Sequence, residues 1–105
     1  MFSVVVFQQD RELRYTWMVH PTYGVMTEKV FGKTDAELFP ETEATVLMAE
    51  KLQVLKTGKG VRKKIQRTVD GKAMEVDLVL EPLRNEEGTV IGITGVSTDI
   101  TQRNI

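Results

Sequence analysis

VRKKIQRTVDGKAMEVDLVLEPLRNEEGTVIGITGVSTDIT, residues 61–101, holds three β-patterned runs separated by two turn signals. In the first run Val61, Ile65 and Val69 are spaced among charged residues along a strand. Asp70-Gly71 then marks a tight hairpin, because such turns need φ > 0 at their central positions and Asp-Gly tolerates it. In the second run Met74, Val76, Leu78 and Leu80 face one way and Glu75, Asp77 and Glu81 the other, the two-residue period of a half-buried strand. Pro82 bounds that run, since proline cannot donate to a ladder. RNEEG makes the second turn, and TVIGITGVSTDI is the last strand. Gly92 and Gly95 inside it imply a close backbone approach, a bulge, or room for a group packed against the sheet.

Upstream, SVVVFQQ and LRYTWMVH are β-favouring runs on either side of a polar turn, a second hairpin signature. Alternation puts Leu13, Tyr15, Trp17 and Val19 on one face, expected inward, with Arg14, Thr16, Met18 and His20 opposite. Pro21 should stop the strand. From Pro21 to Pro40, two glycines, two prolines and short apolar clusters predict brief helical turns. Gly32 is placed to stop one of them in the left-handed conformation. Thr34 with Glu37 three residues on has the form of a capping box for DAELF.

ETEATVLMAEKLQVLKTG is the one long helix. Ala44, Leu47, Met48, Leu52 and Leu55 recur at steps of three and four and form an apolar stripe. Glu41 and Glu43 in the first turn and Lys56 in the last match the helix dipole, and Gly58 is a natural stop. The order is therefore two strands, short helices, a long helix and three strands. That is an α+β layer: a five-stranded antiparallel sheet with helices across one face. A lone hairpin is not stable, so the opening strands must join the last three, with the final strand beside the first hairpin.

The 105 residues suit one domain with one core. Hydrophobic residues are 41% and charged residues 28%, ordinary globular values. A net charge of −1 gives no reason to expect nucleic acid as a partner. VVVF is far too short to span a bilayer, and its flanks do not read as a signal peptide. The chain has no cysteine, which removes disulfides, thiolate metal ligands and thiol catalysis.

FQQDRELRYTW, VFGKTDAELFP, EPLRNEEGTVIGITGVSTDIT and the ending itself resemble a PAS domain, and the likeness covers nearly the whole chain. Gly92, Gly95 and Asp99-Ile100-Thr101 followed by Arg103 are similar to the C-terminal signature of cytoplasmic PAS domains. DRELRYTW and GKTDAELFP resemble PAS sensor modules of bacterial two-component histidine kinases, including the HWE subgroup. The resemblance implies a cytoplasmic, homodimeric sensory module without catalytic activity. It implies a possible small-molecule ligand and an output kinase domain in the same chain, with no nucleic-acid partner and no direct membrane insertion. A ligand-free dimerisation module and a sensor of a cyclic-dinucleotide enzyme are the alternatives. Residues 3–20 would be the first strands, 21–40 the short helices, 42–57 the long helix and 61–101 the last strands. Residues 102–105 would begin a truncated signalling helix. Asp99, Ile100, Thr101 and Arg103 are the expected transmission segment, and Asp99 and Thr101 are good helix caps.

A pocket between the long helix and the sheet is expected near Trp17, Phe31, Met48, Leu52, Met74 and Val76. Trp17 and Tyr15 also suit an ordinary core, as large aromatics on amphipathic strands usually do. Without cysteine, a cysteine-linked flavin or chromophore is excluded. The haem-binding members of the family usually supply a histidine from the long helix, and this helix has none, so haem is not expected. His20 reads as a strand-end histidine, with no metal site implied. Arg62, Lys63, Lys64 and Arg67 form a basic strand face, read as solvated. Glu75, Asp77 and Glu81, assisted by Tyr23 or His20, could be imagined in acid–base chemistry. Alternating acids on a strand are far more often a solvent face.

Overall fold

A computed structural model describes residues 4–20, 24–69 and 71–101. The chain runs β1 (Val4–Asp10), β2 (Tyr15–His20), β3 (Gly24–Val25), α1 (Thr27–Val30), α2 (Asp35–Leu38), α3 (Glu41–Thr57), β4 (Val61–Val69), β5 (Lys72–Arg84) and β6 (Val90–Asp99). The strands form one antiparallel sheet in the order β3-β2-β1-β6-β5-β4. The last strand therefore does lie beside the first, paired from Val4↔Thr98 to Asp10↔Gly92. The sheet has six strands where five were expected. The extra one is the two-residue β3, which turns back at Gly24 (φ 73°) and pairs Val25 with Val19. Two residues carry no periodicity, so the sequence could not announce it.

The hairpin and helix punctuation follows its chemistry. Gly32 and Gly58 adopt left-handed φ of 79° and 69°, and the Gly58 N–H donates to the Val54 carbonyl to close α3. Thr34 and Glu37 form the capping box, with the Thr34 N–H donating to Glu37 Oε1 at 3.2 Å. Asp70 of the tight turn lies outside the described residues; its flanks pair as Val69↔Lys72. No helix among the described residues is long and apolar enough to cross a membrane.

Two expectations about side-chain direction need correction. In the first hairpin Gln8 faces Trp17 but Gln9 faces Tyr15, so Thr16 is an extra residue in β2. Such a bulge reverses the alternation. Tyr15 is buried at the start of the strand, Met18 packs against the core beyond the bulge, and Trp17 turns outward, 39% exposed. On α3 the buried face is Ala44, Leu47, Lys51, Val54 and Leu55, and Leu52 is exposed. Lysine replaces leucine on the inner face because its charge is matched inside the protein.

The glycines of β6 serve the close approach that the sequence suggested. Gly95 sits opposite Phe7, and a Cβ there would run into the Phe7 ring. A Cβ at Gly92 would meet the Gln9 carbonyl. Phe7, only 4% exposed, thereby packs over Gly95 within the core. Gly95→Ala should cost about 1–3 kcal/mol in urea unfolding, the range for overpacking. A loss under about 0.5 kcal/mol, the level of an ordinary surface change, would show that the ring is not confined there.

Candidate functional site

Three polar side chains meet at the heart of the helix–sheet interface. Asp35 opens α2 directly after the Thr34 N-cap, Lys51 sits mid-way along α3, and Tyr15 begins β2. Their residues are 0%, 1% and 2% exposed. The Tyr15 hydroxyl donates to Asp35 Oδ1 at 2.6 Å. Lys51 Nζ donates to Asp35 Oδ2 at 2.7 Å and to the Tyr15 hydroxyl oxygen at 3.2 Å. The ammonium also lies 4.8 Å from the centroid of the Phe7 ring and 5.2 Å from that of Tyr15. The two rings meet edge to face, with centroids 5.6 Å apart. The Tyr15 backbone is fixed as well: its N–H donates to the Lys33 carbonyl, and its carbonyl accepts from Gly32, both at 2.9 Å.

This cluster borders a cavity of about 240 Å³ between α3 and the inner face of the sheet. Apolar walls come from Val5, Phe7 and Met18 on the first hairpin, Phe39 and Leu47 from the helices, and Ile65, Val76 and Leu78 on the second. Tyr15, His20, Lys51, Arg67 and Ser97 add the polar groups. Arg67 Nε donates to Glu43 Oε1 at 3.0 Å, and its guanidinium stands 4.8 Å from the Phe39 ring centroid. Arg67 and Ile65 also line an outer groove between α3 and β4, so both residues are shared by that groove and the cavity.

Of the residues expected at a pocket, Val76 lines the cavity. Met48 packs against the core cluster and Met74 is half-buried, but neither is in the wall. Trp17, Phe31 and Leu52 are 39%, 65% and 53% exposed and lie away from it. Trp17 left through the bulge, and Leu52 because Lys51 holds the inward position of that turn. Lys51 lies four residues from both Leu47 and Leu55, so it occupies the apolar stripe itself. That lysine among leucines was the signal that could have found the site. Asp35 was hidden because an acid in the first helical turn has a sufficient local reason to be there.

The strand carboxylates do not enter the cavity. Asp77 is held by Arg62 at 2.7 Å, Glu81 is exposed and Glu75 is half-buried. Tyr23 lies outside the described residues. The basic strand is likewise engaged: Lys63 bonds Glu50 at 2.6 Å and Arg67 bonds Glu43. Among the described residues no three His, Asp or Glu side chains are grouped to hold a metal.

At the far end of β6, Asp99 Oδ1 accepts from the Thr101 N–H at 2.9 Å. Thr101 Oγ1 accepts from the Glu75 N–H at 3.0 Å, and the Ile100 N–H donates to the Glu75 carbonyl at 2.9 Å. Asp99, Ile100 and Thr101 are thus pinned to the residue next to Val76 of the cavity wall. Arg103 lies outside the described residues.

A family model described as the PAS fold matches residues 2–105. The chain belongs to the PAS family. Histidine kinase 5 of Arabidopsis thaliana is 29% identical over 101 residues, covering 95% of this PAS chain but 11% of the kinase. Among solved structures, the PAS domain of Bordetella pertussis BvgS superposes with a TM-score of 0.76 at 24% identity, covering 94% of this chain and 78% of that one. The ligand–DNA complex of Vibrio cholerae VqmA gives 0.79 at 20% identity, covering 96% and 48%. These two likenesses show the fold, an α+β sheet with a helical cover over one face.

Ionisation of the cluster is set by burial. Desolvation first, then the charge and hydrogen bond of Asp35, push the Tyr15 phenol far above its ordinary 10.0. Burial lowers Lys51 from 10.5, and Asp35 pulls it back towards the charged form. For Tyr15 the folded value exceeds the unfolded one, so its contribution is complete below about pH 10 and is lost as pH rises beyond it. Lys51 acts with the opposite sign up to its ordinary value, so the Tyr15 signature is read above about pH 10.5. Stability to urea should fall with pH in that window, and Tyr15→Phe should flatten the fall. An equally steep decline in the variant would remove the phenol from the account.

Proposed function

We propose that this PAS domain is the sensory input of a longer signalling protein, a histidine kinase. In this reading a small molecule enters the cavity and its occupancy is relayed to the output domain through Asp99, Ile100, Thr101 and Arg103. The observation that carries it is the path from Val76 in the cavity wall, through Glu75, to the backbone and hydroxyl of Ile100 and Thr101. A ligand that displaces β5 or β6 by a fraction of an ångström must strain these hydrogen bonds, because packed cores shift between discrete arrangements rather than deform smoothly.

The relatives support the kinase parent over a cyclic-dinucleotide output: the Arabidopsis protein is a histidine kinase. The VqmA complex, a PAS-fold neighbour with a ligand and DNA, supports a small ligand here; a charge of −1 on this chain favours no DNA role. Residues 102–105, outside the described ones, would start the helix that carries the signal in the cytoplasm. The outward Trp17 and Val25, 39% and 72% exposed on neighbouring strands, support homodimerisation through the outer sheet face. The domain itself does no chemistry in this reading, and its ligand is non-covalent, since there is no cysteine to attach one.

Asp99→Ala removes the acceptor that fixes Thr101 while leaving the cavity wall intact. In the parent kinase it should retain ligand binding within about twofold but lose most of the ligand dependence of autophosphorylation, a change on the order of the 1–3 kcal/mol usual for coupling free energies. Autophosphorylation that still responds fully to ligand in Asp99→Ala would sink the relay.

A further inference from the structure

Two polar side chains of the cavity wall, Lys51 and Arg67, only donate hydrogen bonds, and among the described residues the wall contains no Asp or Glu to compete for them. Lys51 carries three N–H bonds, of which two have acceptors among the described residues: Asp35 Oδ2 and the Tyr15 hydroxyl oxygen. Asp35, the acceptor behind them, is fully buried and both its oxygens are occupied. A ligand in this cavity therefore meets the third N–H of Lys51 and the Arg67 guanidinium beyond its Nε, set in a wall of valine, leucine, methionine and phenylalanine.

The net charge of the wall decides which acceptor fits. Lys51 is matched by Asp35 at 2.7 Å, and Arg67 by Glu43 at 3.0 Å. The wall offers donors without surplus positive charge. An anionic ligand would lose its hydration and find no uncompensated cation to replace it. A neutral oxygen accepts the same hydrogen bond at far smaller desolvation cost. Size sets the rest: a dry cavity of about 150 Å³ takes one benzene ring, so about 240 Å³ accommodates one substituted ring or a compact pair of fused rings. Phe7, Tyr15 and Phe39 in the wall favour a flat molecule.

We propose that the cavity selects a small, flat, uncharged molecule carrying a carbonyl oxygen, seated with that oxygen on the Lys51 ammonium. This rests on the sensory reading above and specifies its ligand class.

The test uses three probes of nearly equal size: acetophenone, which is neutral with an acceptor; ethylbenzene, which has no acceptor; and benzoate, which has an anionic one. Each is titrated into the isotope-labelled chain and followed by amide NMR. Acetophenone should bind about tenfold or more tighter than either of the others, as expected for one hydrogen bond to a charged donor. In the double variant Lys51→Met/Asp35→Leu, which removes the pair together and leaves no unpaired charge, acetophenone and ethylbenzene should converge to roughly equal affinity. Ethylbenzene binding as tightly as acetophenone, benzoate binding tightest, or a preference for acetophenone that survives the double variant would each overturn the ligand class and leave the sensory reading standing. Binding by none of the three would overturn both the class and the cavity's role as a ligand site. Should the double variant not fold, the ranking of the three probes on the native chain still decides.

Discussion

The ion pair between Lys51 and Asp35, closed by the Tyr15 hydroxyl, is the interaction on which the arrangement of this domain depends. It joins three separate elements: the second strand β2, the short helix α2, and the long helix α3 that covers the sheet. Burying two charges is expensive, and such a pair is weak evidence of stability in itself, because apolar replacements of the same volume often do as well. What it supplies is geometry. An isolated carboxylate at a fully buried position would be far costlier than a paired one, so α2 and α3 cannot part, and Tyr15 cannot turn, without exposing that cost. The result is a helical cover held by polar contacts at one end of a cavity that hydrophobic packing alone would tend to fill.

The sequence made the sheet legible because its strands obey the two-residue period and its turns carry their own chemistry. Asp70-Gly71 and the RNEEG turn fixed the last three strands; in the second turn the Asn85 side chain accepts from the N–H groups of both Glu87 and Thr89, at 3.0 Å. Gly95 even announced the close approach that Phe7 turned out to make. The cavity was less legible for a physical reason. Residue identity shows which side chains are apolar, but a bulge of one residue at Thr16 inverts the facing of those that follow, and no local signal marks it. Trp17 was lost from the pocket in this way, and Met18 and His20 were gained. Asp35 was explicable in a first helical turn, and although Lys51 stands in the apolar stripe of α3, only their proximity in space shows that they are one feature.

Cavity and connector share a strand. β5 contributes Val76 and Leu78 to the cavity, and Glu75 holds Ile100 and Thr101. β6 contributes Ser97 to the wall and Asp99 to the cap of Thr101. The cavity-lining residues and the groups that hold Ile100 and Thr101 thus stand one or two positions apart, on the paired strands β5 and β6. The close approaches of Gly92 to the Gln9 carbonyl and of Gly95 to the Phe7 ring keep β6 tight against β1.

Lys51 and Asp35 act as one unit that fastens the helices around the cavity. A double-mutant cycle in urea unfolding tests it most directly, using Lys51→Met, Asp35→Leu and the pair together. The claim predicts a loss of about 3–5 kcal/mol for each single change, because each leaves one buried charge unpaired, and a double variant within about 1–2 kcal/mol of the native chain. Single losses that simply add in the double variant would contradict it, and would mean that the two residues stabilise the fold independently.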